Sequence, residues 1–323
     1  MPNEKRTALV GSGGLHVEVS VVIPTYNRKT DVFECLQSVR HLQHPAYEIV
    51  VVDNASTDGT NEMIRRLFHG VAIVRSSTNL GVTGGRNLGA KHARGIYLFF
   101  LDHDTVVDRN VLNELLGVMK NDPTIGIAGP AVYYYEDSTR IWALGTSIDM
   151  RTGRVSFNHE GEVDNGQFRI MDVQVLPTAF IVRADLMKRI GWFDDVFYAV
   201  YEDTDFCFRA RELGYRVVCV PQAKVWHKVS ADASQSERMA GVLKRAYYVA
   251  RNRIVFMRKH ARPHDFLVFL TIFVAIYLIV GTVYAIALRR SDFLREYYRG
   301  TLMGLLWVAR HKGTERPGVR RAR

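Results

Sequence analysis

The chain has 323 residues, enough for one large α/β domain and an appendage. An apolar share of 47% with 24% charged residues excludes a disordered or low-complexity polymer. Three cysteines (Cys35, Cys207, Cys219) without C-x-x-C spacing exclude a disulfide frame or a cysteine zinc site and suit reduced thiols in a cytosolic setting.

Residues 1–16, with Gly11-Ser12-Gly13-Gly14, read as a flexible leader and not as a secretory signal. Residues 17–24 (VEVSVVIP) are a β-branched run expected as a strand. Val32, Phe33, Leu36, Val39 and Leu42 recur at helical spacing. Residues 48–52 predict a second buried strand ending at Asp53, and Asp58-Gly59 opens a helix carrying Met63, Ile64 and Leu67. Residues 71–74 predict a third strand. The glycine-rich segment Asn79 to Asn87 is expected as a loop leading into a helix that ends near Arg94, before a fourth strand at 96–101. Strands alternating with helices predict a parallel, doubly wound sheet. Pieces at 125–128, 131–135 and 173–182 are expected as mixed strands. Residues 204–213 read as a helix and 215–220 as a strand closing at Pro221.

Phe266 to Leu288 is an uncharged run long enough to cross a bilayer. Arginines on both sides blur its orientation, so spanning and lying in the membrane are both open. The net charge of +10 is concentrated around this run: from Ala223 onward there are 20 Lys/Arg against 6 Asp/Glu, and before it 23 against 27. Such a tail suits anionic lipid headgroups or nucleic acid.

The chemistry-bearing pattern is Leu98-Phe99-Phe100-Leu101 running into Asp102-His103-Asp104. A buried strand ending in Asp-X-Asp delivers two carboxylates to the carboxyl edge of the sheet, where open α/β folds bind ligands. Oxygen donors there suit Mg²⁺ or Mn²⁺, which pair with phosphates. His103, between the two acids, points sideways by strand alternation.

Four pieces occur in order: VVIPTYNR (21–28), VVVDNASTDGT (50–60), NLGVTGGRNLGA (79–90) followed by FFLDHDT (99–105), and FYAVYEDTDFCFRARELGYRVVCVPQAKVWH (197–227). Together they resemble the inverting family 2 glycosyltransferases with the GT-A fold, over roughly residues 17–230. The resemblance implies an α/β fold with a mostly parallel nucleotide-binding sheet flanked by helices. The expected organisation is the leader at 1–16, the GT-A domain at 17–230, basic amphipathic juxtamembrane helices at 231–265, a transmembrane or membrane-embedded helix at 266–288 and a basic tail at 289–323.

By the same resemblance, Pro24, Thr25, Tyr26 and Asp53 line a base pocket, and Gly81, Arg86 and Asn87 approach the diphosphate. Asp102 serves ribose or the metal, and Asp104 with His227 holds the metal. Asp203 is the general base and Glu202 its possible substitute. The alternatives are a turn-bracing Asp53, a structural His227, and an Asp205 that only caps the helix before Phe206. The implied function is metal-dependent transfer of a sugar from a nucleoside-diphosphate donor to an acceptor hydroxyl of a glycan, lipid-linked or not, in cell-surface glycan assembly. The catalytic domain would sit on the cytoplasmic side of the cell membrane. UDP- or dTDP-sugars suit Asp53 better than GDP-sugars, and no nucleic-acid partner is expected. The rival readings are a sugar-phosphate nucleotidyltransferase, whose signature fits poorly at Pro24–Arg28, and a non-catalytic membrane scaffold.

Overall fold

The computed structural model describes residues 17–229, 245–287, 289 and 291–311. The expected leader, the first part of the juxtamembrane segment and the end of the basic tail lie outside them. Chain order is β1 (Val19–Thr25), α1 (Lys29–Val39), β2 (Tyr47–Asp53), α2 (Thr60–Leu67), β3 (Ala72–Arg75), α3 (Gly81–His92), β4 (Tyr97–Leu101), β5 (Thr105–Val107), α4 (Val111–Asn121) and β6 (Ile125–Tyr134). There follow β7 (Ile141–Ala143), β8 (Thr146–Ile148), β9 (Val155–Phe157), β10 (Met171–Asp172), β11 (Ala179–Arg183), α5 (Ala184–Ile190), α6 (Glu202–Glu212), β12 (Arg216–His227) and α7 (Ala246–His260). The helix α8 (Pro263–Ala287) contains a π-helical stretch over Phe273–Leu278, and α9 is Ser291–Arg310.

The main sheet runs β10-β12-β6-β11-β4-β1-β2-β3. β1, β2, β3 and β4 are mutually parallel where they pair, and β6 pairs β12 in parallel. The antiparallel β11 joins the two groups, pairing both β4 and β6. All seven residues of β1 and all five of β4 are buried, as expected of strands covered on both faces. Val21 and Ile23 face one core with α1, α2 and α4, whereas Val22, Leu98 and Phe100 face another shared with α6 and α7.

Three local expectations are corrected. The glycine-rich segment is helix from Gly81 onward, because tertiary packing overrides weak glycine propensity. The strand expected to close at Pro221 continues to His227: its register against β6 jumps between Val220 and Lys224, and this bulge absorbs the proline. The pieces 125–128 and 131–135 form one strand, β6, through Pro130.

The helix α6 begins at Glu202, so Asp205 lies inside it and is not its cap. Asp205 is fully buried. Its Oδ2 accepts from Arg209 Nε at 2.7 Å, and its Oδ1 lies 2.6 Å from Lys259 Nζ and 2.9 Å from His260 Nε2. Lys259 also meets Asp194, and His260 Nδ1 meets Glu212 Oε1 at 3.0 Å. This network clamps α6 onto α7. On the far side of α7, Gly300 lets α9 approach closely: a Cβ there would collide with the Tyr247 carbonyl.

Burial pushes the Asp205 carboxyl up, but the His260 hydrogen bond and the neighbouring cations outweigh it and hold it below the usual carboxylate range. Burial likewise opposes His260⁺, but Asp205 and Glu212 raise its pKa above the ordinary histidine value. The His260 contribution to stability is thus complete below its ordinary pKa and is lost as pH climbs through the raised value. That of Asp205 is complete above the usual carboxylate range and is lost as pH falls through the lowered value. The clamp is therefore strongest between about pH 4 and pH 6.5. Lys259→Met, which leaves Asp205 short of a cation, is expected to lower the unfolding free energy by about 3 kcal/mol, read by urea denaturation within that window.

Candidate active site

The carboxyl ends of β1, β2 and β4 form one rim. β1 and β2 pair in register with Thr25 beside Asp53, and β4 ends just before Asp102. Asp53 is buried. Its Oδ1 accepts the Ser56 N–H at 2.8 Å, and its Oδ2 accepts from Asn61 Nδ2 at 3.3 Å and lies 3.6 Å from Arg75 Nε. This carboxylate braces the turn into α2. Beside it, Thr25 Oγ1 and Asn54 Oδ1 are buried without a hydrogen-bond partner, and Tyr26 is exposed. The Pro24 carbonyl lies 3.2 Å from His103 Nδ1, so that histidine turns to the end of β1.

Asn54 Nδ2 donates to the Gly81 carbonyl at 3.1 Å, tying β2 to the start of α3. Gly81 has φ +70°, and a side chain there would collide with the Tyr198 carbonyl. That carbonyl accepts the Thr83 N–H at 3.3 Å. These contacts fix the first turns of α3 against the loop before α6.

One turn further stands Arg86, 1% exposed. Its Nη2 donates to Asp102 Oδ1 at 2.8 Å and its Nη1 to Glu202 Oε1 at 3.2 Å. The guanidinium lies 5.6 Å from the Phe180 ring centroid and 5.5 Å from that of Phe193. Arg86 Nε and Glu202 Oε2 remain buried without partners. Asp203 Oδ1 accepts from the Thr204 N–H at 2.6 Å and from Thr204 Oγ1 at 3.1 Å. Burial and the charge of Asp203 raise the Glu202 carboxyl to about 7. Burial raises Asp203 too, against the pull of Arg86. The Asn87 amide, expected at the donor, is engaged by the neighbouring loop: it donates to the Phe193 carbonyl and Asp195 Oδ1 and accepts the Phe193 N–H.

Asp104 Oδ1 lies 3.4 Å from His227 Nε2. β5 and β12 bring them together, pairing Thr105 with His227. Burial pushes Asp104 up, but its hydrogen bond to His227 and the charges of His227 and His103 hold it below the usual carboxylate range. His227 Nδ1 is buried without a partner, and Trp142 packs edge-on against the ring at 4.8 Å. Among the described residues, no group of three His, Cys, Asp or Glu side chains is gathered to hold an ion. A divalent cation fits this donor set as one carboxylate and one imidazole completed by phosphate oxygens and water. Asp102, a third expected ligand, is instead paired with Arg86.

Asn54, Phe180 and Trp142 are site residues that the sequence reading missed. Asn54 stands next to Asp53 in VVVDNAS and could have been found there. Phe180 and Trp142 arrive from distant strands and carry no local signal. Tyr133 and Tyr134 are buried strand residues, and Trp192 packs against the core.

A parallel β/α half with acids at its strand ends, joined through an antiparallel strand to a helix carrying paired carboxylates, is the GT-A type of fold. Residues 20–180 match the family model described as Glycosyl transferase family 2. The chain belongs to that family. It is 31% identical over 107 residues to an uncharacterized glycosyltransferase of Haemophilus influenzae, a match covering 33% of this chain and 36% of that protein. It is 21% identical over 302 residues to dTDP-rhamnosyl transferase RfbF of Shigella flexneri, covering 90% of this chain and 96% of that protein. Among solved structures it is similar to GalNAc-T7 with UDP, GalNAc and Mn²⁺ (TM-score 0.55, 16% identity, 74% of this chain and 51% of that one). It is also similar to the mannosyltransferase PcManGT from Pyrobaculum calidifontis in complex with GDP-Man and Mn²⁺ (TM-score 0.52, 20% identity, 92% and 88%).

Arg86→Met removes the cation shared by Asp102 and Glu202 and is expected to cost about 3–5 kcal/mol in denaturant unfolding. Combining it with Glu202→Gln is expected to recover part of that loss, because the uncompensated buried carboxylate is then gone.

Proposed function

We propose that the protein transfers a sugar from a nucleoside-diphosphate donor to an acceptor hydroxyl with inversion at the anomeric carbon. The observation that carries this reading is the convergence on Arg86 of Asp102 from the nucleotide rim and Glu202, with Asp203 beside it, from α6. Thr25, Tyr26, Asn54 and Asp53 form the base end of the donor pocket. The unpartnered Thr25 Oγ1 and Asn54 Oδ1 are suited to base and ribose contacts. A UDP- or dTDP-sugar suits this end, and similarity to a dTDP-rhamnosyl transferase along nearly the whole chain favours a dTDP- or UDP-linked donor.

Asp203 takes the proton of the acceptor hydroxyl as its oxygen bonds to the anomeric carbon from the face opposite the diphosphate. The bond to the diphosphate oxygen breaks with its electron pair leaving on that oxygen. Arg86 holds Asp102 and Glu202 in place and supplies fixed positive charge beside the growing anion. Asp104 and His227 would hold a divalent cation, which when bound supplies Lewis-acid stabilisation of the leaving diphosphate.

The acceptor is a glycan, carried on a lipid. A cavity of about 530 Å³ lies between the loop Asp195–Tyr198 and the helices α7 and α9, lined by Tyr247, Tyr248, Arg251 and Arg299 among others. Tyr198 stacks on Tyr248 at 5.2 Å, presenting an aromatic wall with charged groups around it. The uncharged face of α8 would keep this cavity at the cytoplasmic surface of a membrane, in cell-surface glycan assembly.

Asp203→Asn is expected to lower transfer by about 10²–10⁴-fold while UDP affinity by calorimetry stays unchanged. Full transfer by this variant would remove Asp203 as the base. Because a base works only when ionised, the raised Asp203 carboxyl is expected to place the acid limb of the rate–pH profile above the usual carboxylate range, with activity rising as pH rises through it. The charge of Asp203 raises Glu202, which stays protonated while Asp203 ionises, so Glu202→Gln is expected to leave the limb in place, read from the rate–pH profile of that variant. Chelation of divalent cations is expected to abolish transfer and Mn²⁺ to restore it, with His227→Ala requiring more Mn²⁺ for half-maximal rate. A pyrophosphate-release assay with nucleoside triphosphate and sugar phosphate is expected to give no turnover.

A further inference from the structure

We propose that Pro263–Ala287 lies in the plane of a membrane, not across it, and forms with the outer face of α9 a surface that enters one lipid leaflet. This rests on the membrane-associated part of the reading above. The helix has 25 residues, a length of about 37 Å, which suits either pose. What separates them is what the helix is packed on.

One row of residues, four apart, holds α8 to the protein from its first turn to its last: Asp265, Phe269, Phe273, Tyr277, Gly281 and Ala285. Asp265 pairs with Arg151 at 3.3 Å, and Phe269 lies against Gly153. Phe273 stacks on Tyr297, and Tyr277 lies under Arg253 at 4.3 Å. Gly281 faces Tyr297, and Ala285 is buried. A four-residue repeat drifts by about 40° per step on an α-helix. The wider π-helical turn at Phe273–Leu278 falls in the middle of the row and re-phases it.

A spanning pose would carry the partners of the helix midpoint into hydrocarbon with it. Tyr297, which touches Phe273, stands between Arg295, with 83% of its side chain exposed, and Arg299, with 63% exposed. Arginines facing lipid tails at mid-bilayer depth are strongly unfavourable. Lying flat, the protein avoids this. Leu267, Ile276, Val283 and Ile286 of α8, all exposed, reach one shallow depth beside Leu302 and Leu306 of α9. Arg295 and Arg299 then sit at headgroup level, where anionic lipid attracts them.

The test uses the full chain with single cysteines introduced by His264→Cys and Ser291→Cys, at opposite ends of the helix. The native cysteines, Cys35, Cys207 and Cys219, are all buried. A membrane-impermeant maleimide is applied to intact spheroplasts and to inverted vesicles of expressing cells, with detergent-solubilised protein showing that each thiol reacts. Labelling of both positions from the cytoplasmic face alone is expected. Labelling from opposite faces, or absence of the protein from the membrane fraction, overturns the proposal. Nitroxides at Leu267, Ile276 and Val283 give a second readout in vesicles of phosphatidylglycerol and phosphatidylethanolamine. Equal shallow depths are expected, and a deep centre with shallow ends overturns it. Donor hydrolysis by the same preparations reports on the transferase reading separately, so a failure of catalysis and a failure of the in-plane pose are distinguishable.

Discussion

A buried guanidinium needs carboxylates, and that requirement organises the centre of this molecule. Arg86 is removed from water on α3, between two phenylalanine rings. Its charge is tolerated only because Asp102 comes from the end of β4 and Glu202 from the start of α6. Those two acids belong to the two halves of the fold, which the antiparallel β11 joins in the sheet. The ion pairs at Arg86 make the same junction above the sheet edge, and Asp203 arrives with Glu202 at no further cost in chain ordering.

The helix α6 carries three acids within four positions, and their surroundings drive them in opposite directions. Glu202 and Asp203 crowd each other with one shared arginine, and burial raises both. Asp205, three residues on from Glu202, meets Arg209, Lys259 and His260 and is held low. The difference between the buried Glu202 and Asp205 lies in cation supply; Asp203 is only partly buried. A carboxylate poised near neutrality can exchange a proton. A strongly ionised one locked by three partners serves as an anchor. The anchor holds α6 against α7 and so keeps the poised pair aimed at the rim.

Much of this was legible in the residues. VEVSVVIP, EIVVV and YLFFL are β-branched and aromatic runs of strand length, each followed by a polar turn, and each became a buried parallel strand. The acids past those strands had to emerge at one edge, because parallel strands end on the same side. Non-local information was missing. Nothing in NLGVTGGRNLGA tells that Tyr198 will cover Gly81 and draw the glycines into a helix, or that Asn87 will be used up by the loop at Phe193. Pro221 reads as a strand end because a proline removes a ladder hydrogen bond, yet a bulge facing Pro130 and Ala131 absorbs it. Asp205 looks like a helix cap in sequence, and only the arrival of α7 from about fifty residues away makes it a buried anchor.

The helix α7 links the two ends of the molecule. Through Lys259 and His260 it grips α6, and through Arg253 and Tyr247 it carries α8 and α9. These contacts are buried or aromatic on both sides, so the apolar outer surface and the carboxylate-bearing helix are mechanically one piece. On the in-plane reading, a lipid leaflet would therefore fix the height and tilt of α6 above it. The cavity beside Tyr198 and Tyr248 opens between that surface and the loop leading into Glu202 and Asp203. On the same reading Arg295 and Arg299, exposed on α9, would lie at headgroup depth, where anionic lipid attracts them.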